Sequence, residues 1–101
     1  MGWASWTTRS VVTGRGGVDT VEAGVLRGEL DIHTSWSDGL AAVAVRPHGG
    51  SRWFTVAGSP APCATGYASR RLHDAVIAAA QGDGPASLAG RRPGQRREAA
   101  V

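Results

Sequence analysis

Residues 25–36 read VLRGELDIHTSW, and the alternation of side chains in this stretch decides the fold. One set of alternate positions is apolar, small or β-branched: Leu26, Gly28, Leu30, Ile32, Thr34 and Trp36. The other set is polar or charged: Arg27, Glu29, Asp31, His33 and Ser35. A period of two is typical of an antiparallel strand with one face on the core and one in solvent. The pattern therefore predicts a strand whose charged side chains lie outside the core.

The sequence predicts that this strand bends near Gly24. Apolar residues stand at odd positions up to Val25 and at even positions from Leu26 onward. An uninterrupted strand from Val18 to Trp36 would be much longer than the usual length of about five or six residues. Because glycine readily adopts the backbone geometry of a bulge, we expect a bulge or a sharp bend at Gly24.

Turns rich in glycine, proline and aspartate separate the other predicted elements. The further strands are predicted at residues 7–13, 40–46 and 52–57, with turns at residues 14–17, 37–39 and 47–50. From Ser69 the apolar period becomes that of a helix, with Leu72, Ala75, Val76 and Ala79 on one face. The helical pattern ends at the GDGP turn of residues 82–85.

The predicted fold class is α+β: a four-stranded antiparallel β-meander followed by one C-terminal helix, in the order ββββα. Alanines in the helix and in the strand at 40–46 permit a close approach, which favours a two-layer sandwich. One small domain is predicted over residues 1–87. Residues 88–101 lack an apolar period and are predicted to form a disordered, arginine-rich tail.

The basic character of the chain comes from that tail. The sequence pI is about 10.4, and all eleven basic residues are arginine. Residues 1–87 hold seven arginines and seven acidic residues, whereas residues 88–101 hold Arg91, Arg92, Arg96 and Arg97 against Glu98. A neutral body lacks the basic surface that supplies most non-specific affinity for nucleic acid.

The composition also bears on compartment and chemistry. The single cysteine, Cys63, excludes an intramolecular disulfide; it precedes the helix, where a thiol can become nucleophilic, but free cysteine is more often a small buried residue. No stretch approaches the roughly 20 apolar residues of a transmembrane helix, and the N-terminus lacks the regions of a signal peptide. We therefore expect a cytoplasmic protein without membrane contact. Arginine without lysine is typical of a GC-rich bacterial genome.

The remaining candidate catalytic and metal-binding residues form no recognisable motif. Glu29, Asp31 and His33 share one predicted strand face, but a strand holds its side chains parallel, so we expect arginines to pair with the acids. His33, His48 and His73 fall on a strand, a turn and a helix without the spacing of a zinc site. The sequence predicts no catalytic residue, no cofactor site and no metal site.

Four tryptophans are many for a chain of 101 residues. Trp36 and Trp53 fall on predicted strands, whereas Trp3 and Trp6 precede or begin the first strand, where burial within one chain is difficult. Exposed aromatic side chains are typical of protein interfaces. Trp3, Trp6 and Trp53 are therefore the candidate interface residues. The alternative is that Trp3 and Trp6 fold back over the open end of the sheet, since terminal segments become ordered only when they are docked.

These features favour a non-enzymatic binding or interaction module, acting as a homodimer or with another protein through a sheet surface or edge. The alternative hypothesis is a nucleic-acid-binding protein in which Arg91, Arg92, Arg96 and Arg97 contact phosphates while tryptophans stack on bases. A small-molecule pocket between the helix and the sheet is a third interpretation. The sequence does not choose a partner.

Overall fold

The computed structural model describes residues 2–89, in which seven strands precede one helix. The strands are β1 (Trp3–Val12), β2 (Val18–Thr20), β3 (Gly24–Leu26), β4 (Glu29–Ser37), β5 (Leu40–Pro47), β6 (Phe54–Thr55) and β7 (Ala61–Pro62), and the helix is α1 (Gly66–Ala80). The prediction of a small α+β domain with an antiparallel sheet and one helix is confirmed.

The main sheet has the order β1-β4-β5-β6, and each neighbouring pair is antiparallel. The short strand β7 pairs with the beginning of β5. This path follows the order of the predicted meander. However, the chain leaves the main sheet between β1 and β4 and forms a separate hairpin of β2 and β3. The predicted four-stranded meander is therefore confirmed only in part.

The apolar residues change from odd to even positions near Gly24, and this change lies within that separate hairpin. Residues 21–23 form its turn, and Thr20 closes it by donating to the carbonyl of Gly24 and accepting from the N–H of Ala23. Gly24 has a φ of +67° and Gly28 a φ of +111°, conformations that favour glycine. The predicted continuous strand over 25–36 is therefore wrong at Arg27 and Gly28, where the chain passes from β3 into β4.

The bulge lies in β1 instead. Thr8 pairs with Ile32 and Val11 pairs with Leu30, so Arg9 and Ser10 together stand opposite Asp31. Two residues opposite one define a β-bulge, and the φ of Ser10 is +62°. A serine in this region of backbone space carries no glycine signal, which is why the sequence pattern did not indicate it.

The core lies between the sheet, α1 and the segment that follows the helix. Its buried cluster comprises Val11, Val18, Leu30, Ile32, Val43, Val45, Val56, Ala61, Val76, Ala80, Ala86 and Leu88. Helix α1 begins after its N-cap Thr65, whose side chain accepts from the N–H of Ala68. Contacts of Trp6 and Thr8 with α1 place the helix on the face of the sheet that carries the even-numbered residues of β1.

The chain returns to the core after α1. The N–H of Leu88 donates to the carbonyl of Ala57 at 2.7 Å, and the Leu88 side chain is 3 % exposed. Sequence periodicity assigns Leu88 to the tail, but one buried leucine is enough to anchor the segment to β6 and its neighbours. The predicted disordered tail otherwise falls at residues 90–101, outside the described residues, and stays a prediction. The helix that the structure describes is too short and too polar to cross a membrane.

Candidate functional site

The face of the main sheet opposite α1, here called the outer face, carries the exposed polar side chains. It consists of Trp3, Ser5 and Thr7 of β1, Asp31, His33, Ser35 and Ser37 of β4, and Leu40, Ala42, Ala44 and Arg46 of β5. This assignment follows from the alternation of side chains along a strand. Its central residues are small: Ser5, Ser35 and Ala42 stand side by side in the register and are all exposed.

One end of the outer face is apolar. Trp3 pairs with Ser37, Ser37 with Leu40, and Leu40 with Pro62, so these four residues form one row across the strands. Trp3 is 75 % exposed, and Leu40 and Pro62 are exposed as well. Of the three candidate interface residues, Trp3 is the most exposed.

The opposite end of the outer face is built around a buried carboxylate. Asp31 is 1 % exposed and accepts three hydrogen bonds. Arg46 donates from Nε to Oδ2 at 3.0 Å, His48 donates from Nδ1 to Oδ1 at 2.8 Å, and the backbone N–H of Ser10 donates to Oδ1 at 3.0 Å. The His48 bond and the Ser10 bond lower the pKa of Asp31 far below its ordinary value, and Arg46 contributes further.

This arrangement corrects one expectation and confirms another. Asp31 was expected on a solvated face, but the bulge at Ser10 and the turn that carries His48 close over it. An arginine of the neighbouring strand does pair with the acid, as expected: it is Arg46. His48 lies on the turn after β5, and its Nδ1 is bound to Asp31 while the side chain stays partly exposed.

An aromatic group adjoins this end of the outer face. The guanidinium carbon of Arg46 lies 4.6 Å from the centre of the Trp53 ring, and the His33 and Trp53 rings meet edge to face at 6.0 Å. His33 Nδ1 also hydrogen-bonds with the hydroxyl of Thr7 at 2.7 Å. Trp53 is 38 % exposed, so one part of its surface contacts Arg46 and another part faces solvent.

Trp6 lies on the opposite side of the sheet and is tied to α1. Its Nε1 donates to the hydroxyl of Ser69 at 3.1 Å, and the guanidinium of Arg70 stacks over its ring at 5.1 Å. Trp36 lies on this side too and donates to the carbonyl of Cys63 at 2.8 Å. The three candidate interface tryptophans therefore occupy three different environments and form no common patch.

The three histidines do not meet. His73 is buried beneath β1 and β4, where Nε2 hydrogen-bonds with Thr8 and Nδ1 with Thr34, both at 2.8 Å. His33 and His48 are held on the outer face by Thr7 and Asp31. Within residues 2–89, no group of three or more His, Cys, Asp or Glu side chains is placed to hold a metal ion. The predicted absence of a metal site stays a prediction.

The remaining candidate functional residues from the sequence are Cys63 and the arginines of the tail. Cys63 is largely buried, and its Sγ lies 3.6 Å from the carbonyl of Thr65, with no histidine among its partners in the described chain. Arg91, Arg92, Arg96 and Arg97 lie outside the described residues. The nucleic-acid contacts proposed for them are therefore untested.

The free edge of β1 is the most extended unpaired backbone of the sheet. β1 has ten residues and pairs with β4 along one side, and no strand within residues 2–89 pairs with its other side. Residues 3–8 of this strand contain neither proline nor a charged side chain. The bulge at Arg9 and Ser10 ends this regular part of the strand.

The group formed by Asp31, Arg46 and His48 was missed in the sequence, although a signal for it is present. The Asp38-Gly39 turn joins β4 and β5, and both residues have a positive φ, as this tight hairpin turn requires. The turn sets Ser37 opposite Leu40, and the same register sets Asp31 opposite Arg46. Counting outward from the turn would have placed the acid and the arginine together.

Comparison with models of protein families, with curated proteins and with solved structures finds no match for this chain.

Proposed function

We propose that the chain is a non-enzymatic interaction module that forms a homodimer through the free edge of β1. The observation that carries this proposal is that a ten-residue strand is paired along one side only within residues 2–89. An edge strand presents unpaired N–H and C=O groups that can bind a further strand, and natural proteins usually protect such edges with charge, proline or a bulge. Residues 3–8 have none of these features.

A second copy of the same strand fits this edge. Two copies of β1 that are related by a two-fold axis run antiparallel. When that axis is perpendicular to the sheet, the outer faces of the two copies lie on the same side of the combined sheet. Residues of the same parity then stand opposite each other, so Trp3 of one copy comes near Thr7 and Arg9 of the other. This contact would cover the indole of Trp3, which the other described residues of the same chain leave largely exposed.

The test is the mass in solution together with a pair of matched substitutions. Light scattering at micromolar concentration is expected to give twice the chain mass of 10.4 kDa. Ser5→Lys should produce monomer, because the two-fold axis brings the new charges together at the edge. Ser35→Lys is the control, since Ser35 is exposed and pairs with Ser5 but belongs to the interior strand β4.

The outcomes separate the edge from the outer face. Dissociation by Ser5→Lys alone supports pairing through β1. Dissociation by both substitutions would place the contact on the outer face, and a monomeric wild-type chain would reject the dimer.

A second candidate function is binding of single-stranded nucleic acid on the outer face. The observation that favours it is the partly exposed Trp53, which lies against Arg46 and His33 of the outer face. Aromatic rings combined with arginines are a common platform for stacked bases. In this reading Arg91, Arg92, Arg96 and Arg97 add phosphate contacts.

Oligonucleotide binding measured by fluorescence anisotropy distinguishes the two functions. Binding through the four tail arginines should vanish when all four are replaced, with a log–log salt slope of at most about −3 on single strands. We expect only weak, salt-labile binding for the wild-type chain. Tight binding that survives loss of the tail but not Trp53→Ala would replace the dimer proposal by a nucleic-acid function.

A further inference from the structure

We propose that Arg46 and His48 form a binding site for a phosphate-type oxyanion on the outer face of the sheet, organised by Asp31. This site is separate from the β1 edge and does not depend on the dimer. Its ligand class is a tetrahedral dianion, such as sulfate, inorganic phosphate or a phosphate monoester. The buried carboxylate of Asp31 binds both of these side chains.

Arg46 is held in place while most of its donors stay free. Its Nε is bound to Asp31, and its plane is supported by the Trp53 ring. Within residues 2–89, neither Nη nitrogen of Arg46 hydrogen-bonds with a protein acceptor, and the side chain is 28 % exposed. A guanidinium fixed through Nε presents its remaining N–H groups as a rigid fork, which matches the oxygens of phosphate or sulfate.

His48 adds a second donor beside this fork. Because Nδ1 is bound to Asp31, the other ring nitrogen, Nε2, is the one left for a ligand, and the side chain is 43 % exposed. Arg46 Nε and His48 Nδ1 contact the two oxygens of one carboxylate, at 3.0 and 2.8 Å, so Asp31 holds the two side chains next to each other. Once His48 is protonated, Nε2 becomes a donor and the two cations outweigh the single charge of Asp31.

Other charged side chains lie on the elements around the site. The elements around His48 contribute Asp31 and Glu29 from β4, Arg46 from β5 and Arg9 from the bulge of β1. The Glu29 carboxylate accepts from the hydroxyl of Ser10, and its backbone carbonyl accepts from the N–H of His48. Glu29 therefore remains a negative charge beside the site and weakens anion binding.

The experiment titrates ¹⁵N-labelled full-length protein with sodium sulfate against sodium chloride of equal ionic strength. Sulfate is a suitable probe because it stays doubly charged at every pH near neutrality. We expect saturable shifts of the Arg46 Nε–H and Trp53 Nε1–H signals in the millimolar range, with little change at Trp6.

Four substitutions test the role of each residue. Arg46→Gln should weaken sulfate binding at least tenfold, and His48→Gln, which removes the imidazole bound to Asp31, should weaken it too. Glu29→Gln should tighten binding. Arg70→Gln is the matched control, since Arg70 also stacks on a tryptophan and pairs with an acid, Asp74, but lies on α1. His48→Gln and Glu29→Gln keep the test informative if loss of Arg46 unfolds the domain.

Further titrations distinguish the source of the oxyanion. Inorganic phosphate should bind like sulfate, whereas acetate, with a single charge and a planar group, should bind more weakly. An oligothymidylate that binds at far lower phosphate concentration would assign the site to a nucleic-acid backbone. Linear shifts without saturation, or an equal loss in Arg46→Gln and Arg70→Gln, would overturn the proposal.

Discussion

Nδ1 of His73 and the hydroxyl of Thr34 lie 2.8 Å apart and join α1 to the strand at the centre of the fold. The other ring nitrogen makes an equal contact with Thr8 of β1, and His73 is 2 % exposed. A neutral imidazole donates from one nitrogen and accepts at the other, so each hydroxyl takes the complementary role. One buried side chain therefore connects three elements through two hydrogen bonds.

The first prediction concerns the acid sensitivity caused by this histidine. Burial lowers the pKa of His73 from its ordinary value of 6.5, and Asp74 opposes the shift only in part. The unfolded chain therefore takes up a proton before the folded chain does, and the free energy of unfolding should decrease as pH falls below about 6.5. Urea denaturation at a series of pH values measures this decrease.

A His73→Phe variant should show a flatter pH profile over the same range. It should also be less stable at neutral pH by about 1–3 kcal/mol, because the buried Thr34 hydroxyl loses its partner. His33→Gln serves as the control, since His33 lies on the other face of the sheet and bonds to the exposed Thr7. An unchanged profile in His73→Phe would contradict this explanation.

The second prediction concerns Asp31, whose effect on stability changes at a lower pH than that of His73. Its pKa is held well below the ordinary value of 3.8, chiefly by His48 and the Ser10 N–H. Its contribution to stability is complete above about pH 4 and should be lost as pH falls further, because the unfolded carboxyl is protonated first. Asp31→Asn should lower Tm more than Asp74→Asn, which removes an exposed pair with Arg70. Equal decreases of Tm in the two variants, measured by circular dichroism, would show that the buried network of Asp31 stabilises the fold no more than an exposed ion pair does.

The third prediction concerns the bulge in β1. Ser10 has a φ of +62°, a conformation that a β-branched residue adopts at a cost of about 1–2 kcal/mol. Ser10→Val should therefore be less stable than Ser10→Gly by about that amount in chemical denaturation. Both variants lose the hydrogen bond from the Ser10 hydroxyl to Glu29. The difference in unfolding free energy between them therefore reflects the backbone conformation at this position. If the two variants were equally stable, the bulge would not require a left-handed residue at this position.

The fourth prediction concerns the end of the packed domain. Deletion of residues 88–101 should lower Tm, because Leu88 is buried and its N–H is bound to Ala57. Deletion of residues 90–101 is the control and should leave Tm nearly unchanged, since that segment has no apolar period. Leu88→Ala in the full chain should cost about 2–5 kcal/mol of unfolding free energy. Equal Tm values for the two truncated chains would show that Leu88 belongs to the tail and not to the packed domain.

Much of the architecture could be predicted because its signals are local. Alternation along β4, the Asp38-Gly39 turn and the helical period from Ser69 each depend on neighbouring residues in the chain. The beginning of β1 at Trp3 could not be predicted in this way, since the strand forms by pairing with Ser37 at a distance along the chain. The candidate oxyanion site is an intermediate case. The pairing of Asp31 with Arg46 follows from the local turn, whereas the burial of Asp31 depends on segments that are distant along the chain.

The sequence by itself determined the class of fold, the order of the main strands and the register across the Asp38-Gly39 turn, because periodicity and turn geometry act over a few residues. The tertiary structure alone decided which polar side chains became buried. Asp31 is enclosed because Ser10, Arg46 and His48 approach it from three separate segments. His73 is enclosed because α1 crosses beneath β1 and β4. Burial depends on contacts between distant segments, and a local pattern of polar and apolar residues does not contain that information.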